Sequence, residues 1–251
     1  VADRLHARSS VRTAVVWRAL RDVLDERVTA TGRSRLDILD TGGGTGGFAV
    51  PLATLGHSVM VVDPSPDSLA ALERRAAEAG VTESVRGIQG DAADLLDIVK
   101  PASVDVVLCH SVLEVVDDPA AALAAVSATL QPGGVVSVLA ANRAAVVVHR
   151  AVAGRFEEAL HALRDPAGRY AATDPVPRRF ASADLELLVA SSGLAIFAAH
   201  AVRVFADLVP GGLLDSDPLL TDTLLELEAA AAERPEFRDV ATQLHVLARR
   251  S

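Results

Sequence analysis

The sequence predicts an α/β protein built on a seven-stranded, mostly parallel sheet with helices on both faces. Three observations predict it. Short apolar runs alternate with helix-length segments from residue 36 to 141. A glycine-rich turn, Gly42-Gly43-Gly44-Thr45-Gly46-Gly47, joins the first run to the segment after it. The chain of 251 residues is 50% hydrophobic, enough to bury a full core in one domain spanning 1–251.

Ser9 and Ser10 are candidate caps for an N-terminal helix, Val11 to Val28, within a helical region at 1–30. Its Val11, Val15, Leu20, Val23, Leu24 and Val28 make an apolar stripe. Arg12 falls off the stripe in the first turn, where a cation opposes the helix dipole; a ligand partner and plain exposure both explain such a charge. A cofactor-binding core is expected over 36–141. Its first strand runs into Leu39-Asp40-Thr41, and Phe48 to Gly56 follows as a helix. Ser58 to Val62 is the second strand, ending on Asp63 and Pro64, and Pro66 to Gly80 is helical with Leu69 and Leu72 on its inner face.

The third strand, Val85 to Gln89, leads into Gly90-Asp91-Ala92-Ala93. The fourth, Val104 to Cys109, runs into His110-Ser111-Val112-Leu113-Glu114. A helix from Pro119 to Leu130, a turn at Gln131-Pro132-Gly133-Gly134 and a fifth strand, Val135 to Ala141, complete the core. Beyond it, Ser182 to Ser192 is expected as a helix, with Ala195 to Ala199 and Val240 to Leu247 as the last strands. Residues 142–180 and 210–235 are expected as substrate-covering insertions, the second holding a helix from Leu219 to Glu233 approached through a flexible Gly211-Gly212.

Composition narrows the function classes. A net charge of −9 argues against broad, nonspecific nucleic-acid binding, which relies on many phosphate-neutralising cations. The single cysteine, Cys109, excludes a disulfide framework and reads as a small buried hydrophobe. No apolar run reaches the roughly 18 residues that a membrane span needs, so a cytoplasmic location is expected. His149, His161 and His200 show no ligand spacing, and no metal is expected. Between Asn142 and Phe180, however, seven arginines stand against four acids, a local balance of +3. Such a basic stretch suits a small anionic target or a short piece of nucleic-acid backbone; a solvated helix face would look the same. Lys100 is the only lysine, so arginine is this chain's default cation.

The glycine turn allows a ligand to approach the backbone where no Cβ intervenes. An acid some twenty residues on, here Asp63, can hold the two hydroxyls of a ribose. Two patterns fit. Gly42, Gly44 and Gly47 satisfy the G-x-G-x-x-G of dinucleotide enzymes; Asp40 with Gly42, Gly44 and Gly46 satisfies D-x-G-x-G-x-G. A pyrophosphate would gain from a basic neighbour, and none of the fourteen residues from Asp40 to Ala53 is basic.

The order of glycine loop, Gly-Asp-Ala loop, apolar strand ending near His, and Pro-Gly-Gly turn resembles the class I S-adenosylmethionine (SAM)-dependent methyltransferases and their Rossmann-like fold. The resemblance implies SAM as cofactor and S-adenosyl-L-homocysteine as product. It puts Gly42, Gly43 and Gly44 under the methionyl part, Asp63 at the ribose, and Asp91, Ala92 and Ala93 beside the adenine, with Asp40 and Pro64 also counted in the cofactor site.

Several segments are further similar to the bacterial tRNA 5-carboxymethoxyuridine methyltransferases: Leu39 to Gly46, His110 to Glu114, Val152 to Phe156, Val202-Arg203-Val204-Phe205, Leu224 to Glu228 and His245 to Arg249. That likeness implies that Arg12 and His110 also meet the cofactor, and that the acceptor is a carboxylate on a wobble uridine in the tRNA anticodon loop. Such an acceptor is already ionised and needs no general base. It does need a positioning cation, for which Arg143 and Arg203 are the candidates, unless each simply pairs with a neighbour such as Asp207. One tyrosine and one tryptophan offer few stacking platforms, which keeps open a small anionic metabolite as substrate. A SAM- or tRNA-binding protein without activity is a third reading.

Overall fold

The computed structural model describes residues 2–210 and 218–251, with side chains over 11–210 and 219–251. Seven strands form one sheet: β1 (Asp37–Thr41), β2 (Ser58–Asp63), β3 (Val85–Gln89), β4 (Val104–His110), β5 (Leu130–Ala141), β6 (Leu194–Val202) and β7 (Gln243–Arg250). Their order is β3-β2-β1-β4-β5-β7-β6, and β1 pairs parallel with both β2 and β4, as β2 does with β3. The predicted α/β architecture, mostly parallel with helices, is the one observed. Among the described residues no helix is long and apolar enough to cross a membrane.

The helices are α1 (Ala2–Thr31), α2 (Ala49–Thr54), α3 (Pro66–Glu78), α4 (Leu95–Ile98), α5 (Pro119–Thr129), α6 (Arg143–Val152), α7 (Phe156–Arg164), α8 (Ser182–Ser191), α9 (Pro218–Ala232) and α10 (Pro235–Arg238). Their starts are written locally. Ser65 caps α3 by accepting from the Ser68 amide, with Pro66 in the first turn. Asp118 accepts from the amides of Ala120 and Ala121 at the head of α5. Asn142 caps α6 through its carbonyl while its amide group donates to the carbonyls of Arg238, Asp239 and Ala241.

By contact the chain groups into two compact units. One comprises 1–21, 139–185 and 198–246; the other comprises 22–138, 186–197 and 247–251. In the second, β4 is buried along Val104 to Cys109, the run of a parallel strand covered on both faces. Cys109 is fully enclosed. One charge interrupts this run. Asp105 has no solvent exposure and takes the guanidinium of Arg27 at 3.3 Å, that of Arg33, and the Asp37 amide at 2.9 Å. Arg27 in turn donates to the Gly133 carbonyl at 2.8 Å. Three segments therefore converge on one carboxylate, and Arg27 ties a fourth to it.

Several boundaries differ from expectation. α1 begins at Ala2, so Ser9 and Ser10 lie inside the helix rather than capping it, and Arg12 sits beyond its first turn. The dipole argument for Arg12 falls with that. The apolar stripe holds, with Val11, Val15, Leu20, Val23 and Leu24 buried. β5 starts at Leu130, before the Pro-Gly-Gly sequence, and Gly133 makes its bend within the strand at φ +73°. β4 continues to His110 and β6 to Val202. β7 begins at Gln243 because Pro235 opens α10 and Val240 and Ala241 close back onto the Phe237 carbonyl. The helix expected at Leu219 to Glu233 is α9, whereas Gly211-Gly212 lies outside the described residues.

The Asp105 cluster predicts a large asymmetry under urea denaturation. Asp105→Ala strands two guanidinium groups, one of them buried, and should cost about 3–5 kcal/mol. Glu26→Ala, which removes the exposed partner of Arg249, should leave the midpoint almost unchanged.

Candidate functional site

The register aligns the carboxyl ends of four strands. Thr41 lies opposite Val62 on one side and Cys109 on the other, and Asp63 lies opposite Gln89. In open α/β sheets this edge is where ligands bind. Asp40, the glycine turn, Asp63, Pro64, Asp91 to Ala93 and His110 gather on it within one compact unit.

The turn itself decides between the two glycine patterns. Gly42, Gly44 and Gly46 all have positive φ, at 67°, 55° and 79°. A Cβ on Gly46 would come within 2.3 Å of Leu72 Cδ1 in α3, whereas one on Gly47 would meet nothing within 4 Å. The glycines that the backbone requires are those of D-x-G-x-G-x-G. Gly43 is pressed from beneath, its Cβ position lying 2.5 Å from the Asp40 carboxyl carbon. Gly44 is the open one, with no atom nearer than 3.9 Å to its Cβ position.

Two carboxylates organise this edge. Asp63 accepts from the Gly44 amide at 2.8 Å and the Ser65 amide at 2.9 Å, so it holds the turn while each oxygen keeps a further lone pair. Asp40 is buried, and burial, with the Asp63 charge adding to it, pushes its carboxyl up to about 7. Next to Asp63, the Pro64 carbonyl accepts from Gln89 at 3.3 Å. Asp91 accepts from the Ala93 amide at 3.1 Å, shaping the loop after β3, with Ala92 buried and Ala93 exposed.

His110 ends β4 with its Nε2 2.8 Å from Ser137 Oγ and its ring edge-on to Phe48 at 4.8 Å. Burial pushes this imidazole down to about 3, so it is neutral at physiological pH. The segment after it reaches the turn, because a Cβ on Gly42 would lie 2.6 Å from Val112 Cγ2. Ser137 and Phe48 escaped the sequence reading. The signal for Ser137 was a lone hydroxyl in an otherwise apolar strand. Arg75 escaped it too: its guanidinium donates to the Thr45 carbonyl at 3.1 Å and is engaged by the turn's own oxygens.

The three remaining site candidates belong to the other unit. Arg12 is 3.3 Å from Asp207, which also pairs with Arg203, and Arg203 donates to Gln243 at 3.3 Å. Arg143 donates to the Pro166 carbonyl at 3.2 Å and lies 3.7 Å from Asp184. The basic segment is less free than its composition suggests. Arg143, Arg150, Arg155, Arg169 and Arg179 all make ion pairs with carboxylates. Tyr170, the only tyrosine, lies under the Arg150 guanidinium at 3.5 Å. Among the described residues no group of three or more His, Cys, Asp or Glu side chains could hold a metal ion.

A methyltransferase-domain family matches residues 39–138. Over 97% of its length the chain is 30% identical to the tRNA 5-carboxymethoxyuridine methyltransferase of Escherichia coli strain K12, spanning 89% of that protein. A ubiquinone biosynthesis O-methyltransferase of Paraburkholderia phymatum is 35% identical over 48% of this chain and 49% of its own. Among solved structures, a SAM-dependent methyltransferase from Mesorhizobium loti matches with TM-score 0.59 at 21% identity, covering 93% of this chain and 97% of that one, a likeness of fold.

Two measurements test the geometry of the turn. Gly46→Ala should unfold at markedly lower temperature than wild type, while Gly47→Ala should melt within a degree or so of it, since only the first substitution meets a side chain and a strained φ. The second concerns Asp40. Its ordinary carboxyl value is about 4, so the fold retains a proton that the unfolded chain sheds. The stability this lends is complete below pH 4 and is lost as pH rises through 7. Asp40→Asn should therefore gain on wild type between pH 5 and 8, by at most about 1.4 kcal/mol per pH unit in urea titrations.

Proposed function

This chain belongs to the class I SAM-dependent methyltransferases, and we propose that it methylates the carboxylate of 5-carboxymethoxyuridine at the wobble position of tRNA. The observation that carries this reading is the reach of the likeness. It extends over 97% of the chain for the E. coli tRNA enzyme, against between 42% and 72% of the chain for the ubiquinone-pathway relatives. The cytoplasm, where tRNA is modified, is the matching location.

The site residues fit the methyl donor of the family. The turn offers an open backbone at Gly44, a ribose acceptor in Asp63 with lone pairs to spare, and a lone basic contact, Arg75, already bound to Thr45. In this reading Gly42, Gly43 and Gly44 lie under the methionyl part with Asp40 behind them. Asp63 and Pro64 flank the ribose, Asp91, Ala92 and Ala93 the adenine, and Arg12 and His110 complete the contacts. SAM supplies an electrophilic methyl on a sulfonium and leaves as S-adenosyl-L-homocysteine.

The protein's part is then alignment and exclusion of water. The carboxylate acceptor is ionised at neutral pH, so no side chain has to take a proton. His110 suits that chemistry. Held neutral well below the operating pH, it is a poor general base and a good fixed hydrogen-bonding group. Arg203 is the acceptor's orienting cation in this account, with Arg143 as the alternative. Both are engaged: Arg203 pairs with Asp207 and donates to Gln243, and Arg143 donates to the Pro166 carbonyl and pairs with Asp184.

One observation favours a second reading, a small anionic metabolite as acceptor. The only tyrosine is covered by Arg150, and most arginines of the 142–180 segment are already paired.

Labelled SAM and bulk tRNA from a strain lacking this gene decide between them. The expected product is a methyl ester on the wobble uridine, identified by nucleoside mass analysis. SAM binding without transfer to tRNA would turn the assignment to a metabolite. In Asp40→Asn, which removes the group that titrates near 7, kcat at saturating substrates should stay flat from about pH 6 to 8.5, because neither the acceptor nor His110 titrates there. A phenol or amine acceptor would instead give a rate that rises with pH.

A further inference from the structure

Arg203 is one of three non-glycine residues with positive φ among the described residues, at 61°. It follows β6 directly. Its conformation is held from both sides. Its carbonyl accepts from the Thr242 amide at 3.2 Å. The next three amides in the chain, those of Val204, Phe205 and Ala206, all point at one carboxylate, Glu228 of α9. Glu228 Oε2 accepts from Val204 at 2.9 Å, and Oε1 accepts from Phe205 at 2.9 Å and Ala206 at 2.7 Å. Glu228 is 1% exposed.

Three successive amides turned to one point form an anion-binding nest. Here the anion is supplied from within, and bonds to a charged acceptor are shorter and stronger than neutral ones. Such a clamp exceeds what a surface turn needs. Its consequence falls on the residue before it, because a left-handed, non-glycine residue persists only where its surroundings over-determine it. The side chain so placed is the guanidinium shared with Asp207 and Gln243.

We infer that Glu228 is a positioning residue for methyl transfer: by binding the 204–206 amides it fixes the backbone of Arg203, and through it the cation that receives the acceptor's carboxylate. The inference rests on the proposed function, in which Arg203 plays that part. Glu228 is buried with both oxygens taken up by these amides, so in this account it acts only through Arg203. Glu228→Gln keeps the volume but turns an N–H donor toward at least one of the three amides, so the turn reopens and Arg203 leaves its left-handed conformation.

A double-mutant cycle on the full chain tests this, with Glu228→Gln, Arg203→Ala and the pair. kcat and KM are measured on tRNA bearing the unmethylated wobble uridine, and SAM affinity by calorimetry. Glu228→Gln should raise KM for tRNA about tenfold and change kcat and SAM affinity by less than about twofold, and adding it to Arg203→Ala should raise KM no further. Amide exchange at 204–206 should quicken in the folded variant. Should Glu228→Gln not fold, Glu228→Asp, which keeps the charge and draws the carboxylate back by one methylene, takes its place in the cycle. Fold-changes in KM that multiply, or a joint fall in kcat and SAM affinity, would overturn the positioning role alone. No transfer to tRNA by the wild-type enzyme would overturn the proposed function and this inference together.

Discussion

A carboxylate with no access to water is the constraint on which the unit holding the glycine turn depends. Asp105 sits near the start of an apolar strand, and a buried ion is tolerable only when its partners replace the water it has lost. Those partners come from the end of α1, the loop before β1 and the first residue of β1, and Arg27 carries the connection on to the bend in β5. A hydrophobic residue at 105 could fill the same volume. It could not specify that the last turn of α1 and the start of β1 arrive together at one point on β4. The edge carrying the glycine turn lies at the far ends of the same strands, so its registration inherits this fixing.

Much of the fold was legible because its signals are local. Alternating apolar runs and Pro at the first turns of α3 and α5 act within a few residues of where they stand, as do the caps Ser65 and Asp118 that the structure adds to them. β2 and β3 fall where their apolar runs put them. The boundaries that moved are those set by distant partners or by helical continuity. α1 passes through Ser9 and Ser10 because a serine caps a helix only where the helix has reason to stop. β7 starts late because a proline eight residues upstream opens a short helix that consumes the residues in between.

The candidate site divides along the same line. Asp40, Asp63 and the turn between them stand out in sequence because the backbone conformation demands glycine, and glycine is visible. Which glycines matter was not visible: Gly46 and Gly47 look alike until Leu72 arrives from another helix. The arginines were the harder case. Seven of them in one segment suggest a field of free charge, but the carboxylates that absorb it come from the same segment and from α8. Composition counts charges; only geometry says which have been spent. The nest at 204–206 was equally hidden, since a carboxylate on α9 and three amides beyond β6 share no local pattern.

Cys109 has a consequence of its own. It is the only thiol, it is fully enclosed in β4 opposite Thr41, and burial pushes its titration upward, so the thiolate is scarce while the strand is in place. An alkylating reagent can reach it only when β4 separates from its neighbours. The chain thus contains a chemical clock at the edge that carries its glycine turn: the rate of labelling counts the openings of that edge, and a ligand that clamps it shut would slow the count. The same enclosure keeps folded molecules from linking to one another through sulfur while the strand is in place.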